Sequence, residues 1–262
     1  MSYKPLVELG YKLFEEKNIT NLDFFENKNV LKEDTEEANN ILKDIKNYPH
    51  AFVLACLMDR RIKAEKAWII PFKVFKHFGT KEIDELCKFK LIDFEKYFNT
   101  NIDHIYKSKM AGIFYNGLER IKTKYNYNAA SIWKNNLSSA TVVYNFLEFN
   151  GVGQKISTMA TNILARDYKI KFSDYCSIDI SVDLQVKKVM KAMGIVKDFR
   201  DDGKLNNKII YKARELNPMY PGVIDLACWR IGRNYCSDKK ENAKCNNCEM
   251  EKHCEKCFDN CT

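Results

Sequence analysis

The chain has 262 residues and a mass of 30.7 kDa, enough to bury a full hydrophobic core as one large domain or two small ones. Hydrophobic residues make up 45% and charged residues 30%, a balance that excludes wholesale disorder. The formal net charge of +8 suits a polyanionic partner. No apolar run reaches the roughly 18 residues that a membrane helix needs, so we expect no membrane partner.

Helical periodicity dominates the chain, and strand-like alternation is scarce. Two or three amphipathic helices are predicted between Leu6 and Ile45, with breaks at residues 18–21 and 27–29. Pro49 then opens a run, residues 52–58, that is apolar on all sides and therefore predicts a central helix. Further helices are predicted over residues 64–78, 81–88, 94–98, 108–125 and 129–135. The predicted fold class is all-α.

Residues 141–165 contain the most informative motif. An apolar helix is predicted to end at Asn150, a Gly151-Val152-Gly153 turn to reverse the chain, and a second helix to follow with Lys155 at its start. Glycines permit a tight backbone and a close approach to another molecule. The amides that open the second helix form a phosphate-sized anion site, which grips a nucleic-acid backbone without reading its sequence. The alternative is an ordinary corner between two helices, with Lys155 a solvated lysine.

Asp183 lies where an apolar stretch meets an amphipathic helix, which predicts an N-cap. The same carboxylate could face a cleft and accept a proton from a nearby lysine, because a lysine attacks carbon only as the neutral amine. Asp179 and, more weakly, Asp174 compete for that role. From the residues alone, capping is the favoured role of Asp183, and a pair with Lys155 is a hypothesis.

The cysteines are unevenly placed. Four are scattered, at positions 56, 87, 176 and 228, whereas six follow residue 235. A secreted disulfide scaffold would spread its bridges and carry a signal peptide, and the first residues contain no signal-peptide core. Clustering at one end therefore indicates thiolates around a metal and a reducing compartment, most simply the cytoplasm.

The cysteine cluster begins with four soft ligands at a tight spacing: Cys236, Cys245, Cys248 and Cys254. Four thiolates can hold either tetrahedral zinc or a cubane iron–sulfur cluster. His253 is one more possible zinc ligand. Cys257 and Cys261 exceed the four that are required and have no assigned role.

These motifs, in their order, resemble the helix–hairpin–helix DNA glycosylase superfamily, and within it the iron–sulfur branch of endonuclease III. Residues 149–155 are similar to the family's hairpin with its catalytic lysine, and residues 182–189 to the segment that bears its catalytic aspartate. Residues 229–236 lead into the cysteine cluster as they do in the family. Weaker similarities lie in residues 52–61 and 106–111, so the resemblance covers about residues 49–254.

The resemblance implies the two-domain fold of that superfamily, with its active site between the domains and an iron–sulfur cluster loop near the C-terminus. A six-helix barrel domain would span residues 47–168 and end in the hairpin. Residues 1–46 and 169–262 would together form a discontinuous cluster domain. Within it, the thiolates of Cys236, Cys245, Cys248 and Cys254 would hold a [4Fe–4S] cluster, with zinc as the alternative.

The resemblance also implies base-excision repair: a DNA glycosylase that flips a damaged base out of double-stranded DNA and has associated AP-lyase activity. Lys155 would attack the sugar and form a Schiff base, while Asp183 would deprotonate the lysine and stabilise positive charge on the sugar. The DNA contacts would come from Gly151, Val152, Gly153, Gln154 and Arg61. We expect a monomer in the cytoplasm, associated with the nucleoid if the source is prokaryotic.

Three departures from the family pattern affect specificity. The interval from Lys155 to Asp183 is longer than usual, which predicts an insertion near residues 167–177, and the first cysteine interval is eight residues where six are usual. The first barrel helix ends in Asp59-Arg-Arg61 in place of a glutamine-containing stretch. Arg61 could fill the gap left by a flipped base or be a solvated helix end.

The substrate expected from the branch is an oxidised pyrimidine, with oxidised purines, deaminated bases and mismatched bases open. Three other functions stay open as well. The protein could be a monofunctional glycosylase, a DNA-binding module without lyase chemistry in which Lys155 contacts phosphate, or a zinc-stabilised regulatory module.

Overall fold

A computed structural model of the chain describes residues 3–18, 32–199 and 203–257. These residues form helices, turns and irregular segments and contain no strand, which confirms the predicted all-α class. Within the same residues, no helix is long and apolar enough to cross a membrane. Most of the predicted breaks near residues 18–29, and Cys261, lie outside the described residues.

The described residues form thirteen α-helices, numbered in chain order. They are α1 (Lys4–Glu16), α2 (Lys32–Lys43), α3 (Pro49–Met58), α4 (Ala64–Ala67), α5 (Ile70–Phe78), α6 (Ile83–Leu86), α7 (Leu91–Asn101), α8 (Lys107–Tyr125), α9 (Ser139–Leu147), α10 (Gln154–Arg166), α11 (Leu184–Ala192), α12 (Leu205–Leu216) and α13 (Asp225–Asn234). Five short 3-10 helices cover Ala129–Ile132, Pro221–Ile224, Lys240–Asn242, Cys245–Asn247 and Glu251–His253.

The helices are grouped in two compact units. The first contains residues 1–17, 138–143 and 161–262, and the second contains residues 18–137 and 144–160. Helices α9 and α10 each contribute residues to both units. The predicted domain bounds, residues 47–168 against residues 1–46 with 169–262, stay a prediction.

The second unit is built around α3. All ten residues of this helix are buried, as its all-round apolar sequence predicts. Phe52 makes edge-to-face contacts with Trp68, Trp133 and Phe146 at centroid distances of 6.0, 6.0 and 6.5 Å. On α8, Gly117 lets the backbone approach the Leu54 and Leu57 side chains of α3, because a Cβ there would overlap Leu57. The burial of α3 fixes the position of the segment that follows it.

Two predicted helices of this unit differ in the structure. Residues 64–78 form α4 and α5 with a break at Trp68 and Ile69, because Pro71 has no N–H to donate to the carbonyl of Ala67. Residues 129–135 form a 3-10 helix that ends at Ile132, and Asn135 then adopts a positive φ of 71°. Short polar residues tolerate this left-handed conformation and end helices readily.

The first unit packs α1, α11, α12 and α13 with the Pro221–Ile224 turn. Gly232 of α13 approaches the backbone of α11 closely, since a Cβ there would overlap the carbonyl oxygen of Gln185. The turn is tied to the end of α10, where the Asn162 side chain donates to the carbonyl of Gly222 at 2.8 Å. These contacts support α11, the helix that follows Asp183, and α13, the helix that precedes the cysteine segment.

The cysteine segment, residues 236–257, has less regular structure and fewer buried side chains than the helices before it. It contains three single-turn 3-10 helices joined by irregular backbone. All of its residues are described, and Met250 alone among them is buried. A segment with so little buried apolar surface gains little stability from the hydrophobic effect.

Candidate functional site

The hairpin predicted from the sequence is formed by α9, a turn over residues 148–153, and α10. The first helix ends at Leu147, three residues before the predicted end at Asn150. Phe149 explains the difference, because its side chain is buried and its N–H bonds back to the Phe146 carbonyl at 3.0 Å, which tightens the chain before the turn. The turn is closed by a bond of 3.1 Å from the Val152 N–H to the Phe149 carbonyl. Buried aromatic residues therefore anchor the turn.

The two glycines of the turn have different surroundings. Gly151 has a φ of +81°, and a Cβ there would overlap Nη1 of Arg60 and meet Ile113 at 3.0 Å. Gly153 has no positive φ, and no heavy atom lies within 4 Å of the position that a Cβ would take there. Gly151 is thus required by the fold, whereas Gly153 leaves open space beside the start of α10.

The first turn of α10 is braced by side chains. The carbonyl of Gln154 accepts hydrogen bonds from the hydroxyls of Ser157 and Thr158, both at 2.9 Å. The Ser157 N–H bonds to the Gly153 carbonyl at 3.1 Å and begins the helix ladder. The amides before it belong to the helix N-terminus, where N–H groups point outward and favour an anion. Gln154 and Lys155 are both exposed.

Lys155 lies beside a carboxylate that follows α3. Its Nζ is 3.9 Å from Oδ2 of Asp59, and the side chains are 43% and 11% exposed, respectively. Both residues belong to the second unit, whereas Asp183 belongs to the first. The structure thus brings a mostly buried carboxylate to the lysine that the sequence singles out.

Arg61 follows in the same segment with a φ of +54°, an uncommon backbone conformation for a residue with a Cβ. Its Nη1 donates to the hydroxyl of Tyr106 at 2.9 Å, and its guanidinium lies 5.9 Å from the centre of that ring. Arg61 is exposed and Tyr106 is 44% exposed. Arg61 is therefore a surface cation oriented by Tyr106.

Asp183 caps α11, as predicted. Its Oδ1 accepts hydrogen bonds from the N–H groups of Gln185 and Val186, both at 2.8 Å. Its competitors have other partners. Asp179 is buried and paired with Arg214 through two bonds of 2.7 and 2.9 Å, and Asp174 accepts the hydroxyl of Ser139, which lowers the pKa of Asp174. Of the three carboxylates, Asp183 alone sits at the start of a helix.

One small, partly open cavity lies between the cysteine segment and the end of α11, with Ala192 and Tyr235 among its lining residues. The thiols of Cys236, Cys245, Cys248 and Cys254 line it together, and His253 and Cys257 are not among its lining residues. These four are the residues that could hold a metal group. Among the described residues, no three His, Cys, Asp or Glu side chains converge on a point at the spacing that a single bound ion needs.

The electrostatics of the cavity reflect the crowding of its thiols. Burial, followed by the charges of Cys248, Cys254 and Cys245, raises the pKa of Cys236 to about 12. Burial also raises the pKa of Cys254 and Cys248. At these two thiols, backbone N–H groups lower the pKa by donating to sulfur, from Lys256 to Cys254 at 3.4 Å and from Met250 to Cys248. Such N–H···S bonds stabilise thiolate ligands. A bound cation would stabilise all four thiolates at once.

Two contacts of the site were not expected from the sequence. Asp59 approaches Lys155, and Arg60 packs on Gly151. The only signal is the abrupt change from an apolar helix to three charged residues at position 59. Comparison with protein families finds none that matches this chain, and a search of curated proteins finds no match either.

Proposed function

We propose that the protein is a DNA glycosylase with associated AP-lyase activity that acts in base-excision repair on double-stranded DNA containing a damaged base. The observation that carries the proposal is the setting of Lys155. Its amine is half-exposed in the first turn of α10, directly after the glycine turn, with a carboxylate beside it. A reactive lysine needs such a setting, because it must both reach a substrate and lose a proton.

The hairpin supports binding to the DNA backbone. The amides of the α10 N-terminus suit a phosphate, and Gly153 leaves room for its close approach. Arg61 is an exposed cation in the same unit. Such contacts would bind the DNA backbone through charge and position and would not read the base sequence, which suits an enzyme that searches for damage.

The chemistry begins with a base flipped out of the helix, since the sugar carbon is unreachable within the stack. The lone pair of Lys155 Nζ forms a bond to C1′ as the bond from C1′ to the base breaks, and the base leaves with that electron pair and takes up a proton. Opening of the sugar ring then gives a Schiff base, from which β-elimination cleaves the strand. Asp183 would stabilise positive charge on the sugar through Oδ2, because both of its cap bonds use Oδ1.

The cysteine cavity supports a [4Fe–4S] cluster held by Cys236, Cys245, Cys248 and Cys254. A cubane takes one thiolate on each iron, whereas zinc draws all four ligands to one ion at about 2.3 Å. Thiols spread around the wall of one cavity suit the cubane better. When bound, the cluster supplies a structural cross-link among four positions of the chain. Iron and inorganic sulfide in purified protein would distinguish it from zinc.

The test is borohydride trapping on duplexes that carry thymine glycol, 8-oxoguanine, uracil or an abasic site. Wild type is compared with Lys155→Ala and with Lys134→Ala, which removes an exposed lysine of the same unit. We expect an adduct on an oxidised pyrimidine with wild type and Lys134→Ala and none with Lys155→Ala.

Two other outcomes would change the proposal. An adduct at the abasic site alone would keep the lyase and place the base specificity outside the panel. The absence of an adduct on every duplex, from protein that binds DNA and contains its metal, would refute the lyase mechanism and favour a monofunctional glycosylase or a DNA-binding module.

A further inference from the structure

The ion pair of Lys155 with Asp59 has a feature that a surface salt bridge lacks. Only 11% of the Asp59 side chain is exposed, so its carboxylate has lost most of its contact with water. Removing a charge from water is costly unless a partner compensates. Lys155 contributes to that compensation at 3.9 Å, slightly beyond direct hydrogen-bond distance. At such a separation one bridging water can relay a proton.

The position of Asp59 on its own helix is also unfavourable. It is the C-cap of α3, where the negative end of the helix dipole opposes a carboxylate. The preceding ten residues are buried and, apart from His50, apolar, so packing alone favours a neutral residue or a cation here. A carboxylate in this position is therefore explained better by what it contacts than by the stability of α3.

The segment that contains Asp59 is fixed against the hairpin at a second point. Nη1 of Arg60 is buried without a hydrogen-bond partner among the described residues and packs on Gly151, within the turn that precedes Lys155. The carbonyl of Arg60 is in turn bonded to the ring of His104 at 2.9 Å. Arg60 therefore contacts the turn while Asp59 contacts the first turn of α10, so two neighbouring residues of this segment meet the hairpin at two points.

We propose that Asp59 is the positioning residue of Lys155, which holds the amine at the hairpin and accepts its proton before the attack. This inference rests on the proposed lyase function. One proton passes from Nζ to the Asp59 carboxylate, directly or through one water, and the free lone pair of Nζ then bonds to C1′ as the base departs. The proposed role of Asp183, the cap of α11, in stabilising charge is unchanged.

Four other ionisable or charged side chains belong to the segment of Asp59 or to elements that contact it. Arg60 and Arg61 follow Asp59 in the same segment, and His104 contacts this segment through the Arg60 carbonyl. Cys56 of α3 is fully buried, and its thiol pKa is raised well above its usual value, first by burial and second by the charge of Asp59. Lys155 is the residue of the hairpin that forms an ion pair with Asp59.

The kinetic test measures single-turnover borohydride trapping on an abasic-site duplex over a range of pH. Asp59→Asn should lower the rate by about 10²-fold while DNA affinity is maintained, since general-base groups contribute about 10²–10⁴-fold. The rate of this variant should rise with pH, as hydroxide replaces the missing carboxylate, and Asp59→Glu should recover part of it. Asp103→Asn, which removes an exposed carboxylate that pairs with Lys66 in the same unit, should behave as wild type.

A folded Asp59→Asn variant that traps at the wild-type rate, with the wild-type pH profile, would overturn the inference. A variant that loses trapping together with its circular dichroism spectrum would give no kinetic result, and the Asp59→Glu variant then decides. Full loss in a folded Asp59→Glu variant, without recovery at high pH, would assign Asp59 a structural role and also overturn the inference.

Zero-length carbodiimide cross-linking tests the pair without activity. An amide between Asp59 and Lys155 should be found by mass spectrometry in wild type and not in Asp59→Asn. Its absence, under conditions that join Lys66 to Asp103, would refute the pairing. A cross-linked pair in a wild-type protein that traps no DNA would show that the proposed function has failed, and the positioning role with it, while the geometry stands.

Discussion

The hairpin and the cysteine segment are stabilised in opposite ways. Around the hairpin turn, Phe146, Phe149 and Ile156 are buried, so the turn is held by apolar packing. In residues 236–257 the side chain of Met250 alone is buried, and four thiols face one cavity. From this contrast we expect the hairpin to fold without a ligand, and we propose that the cysteine segment takes its order from a bound metal group. Each of the following predictions tests one side of this difference.

The largest effect is expected from loss of the metal. Structural metal binding contributes on the order of 10 kcal/mol to folding of a small site. Oxidation and chelation should therefore abolish hydrogen-exchange protection in residues 236–257 and leave α9 and α10 protected. Cys248→Ser should lose metal, while Cys257→Ser, whose thiol does not line the cavity, should retain it. Equal protection with and without metal would contradict the contrast.

Truncation of a hairpin anchor comes next. Phe146 is fully buried and packs on Phe52, Trp133 and Phe149. Phe146→Ala should lower the free energy of unfolding by about 3–5 kcal/mol. Tyr144→Ala on the same helix is the matched control, because Tyr144 is 60% exposed and its loss should cost less than about 0.5 kcal/mol. Urea denaturation measures both, and similar losses would mean that α9 is not anchored through its buried face.

Acid should destabilise the second unit, which contains the hairpin turn. Burial lowers the pKa of His50 to about 4, and its Nε2 lies 2.8 Å from the carbonyl of Lys81. The unfolded chain binds a proton below about pH 6.5 that the folded chain does not bind, so stability falls as pH drops from about 6.5 to about 4. The expected loss is about 3 kcal/mol.

His50→Gln should flatten this acid dependence, because an amide donor does not titrate. His77→Gln, at an exposed position on α5, should retain it. Thermal unfolding followed between pH 4 and pH 7 compares the three proteins. An unchanged slope in His50→Gln would assign the acid sensitivity to other groups.

The smallest effect separates the folding role of the turn from its binding role. Gly151→Ala should cost about 2 kcal/mol, because its φ of +81° is left-handed and the new Cβ overlaps Arg60. Gly153→Ala should change stability by less than about 0.5 kcal/mol. It should instead weaken DNA binding about tenfold, which is ~1.4 kcal/mol, by blocking a phosphate. Wild-type affinity in Gly153→Ala would favour an ordinary helix corner.

Sequence patterns predicted the features that depend on local chemistry. The all-round apolar run became the buried helix α3, and Asp183 became an N-cap, because burial and capping follow from a few neighbouring residues. The single helix predicted over residues 64–78 was wrong, since the effect of Pro71 outweighed the periodicity. Helical periodicity thus fails to predict a continuous helix where a proline interrupts the hydrogen-bond ladder.

The contacts of the site depend on packing between distant parts of the chain. Lys155 could be singled out from the Gly-x-Gly turn before it. The contact of Lys155 with Asp59 could not be predicted in this way, because it depends on where the buried helix α3 ends relative to α10. The spacing of the four cysteines predicted a set of metal ligands, and this stays a prediction, although all four residues line one cavity.

We propose that Lys155 is the residue that forms the covalent bond to DNA. The most direct measurement is to trap wild-type protein on a lesion-containing duplex with borohydride, digest the adduct, and locate the modified residue by mass spectrometry. We expect a sugar remnant on the peptide that contains Lys155 and on no other. A remnant on another lysine, or a trapped adduct that persists in Lys155→Ala, would contradict it.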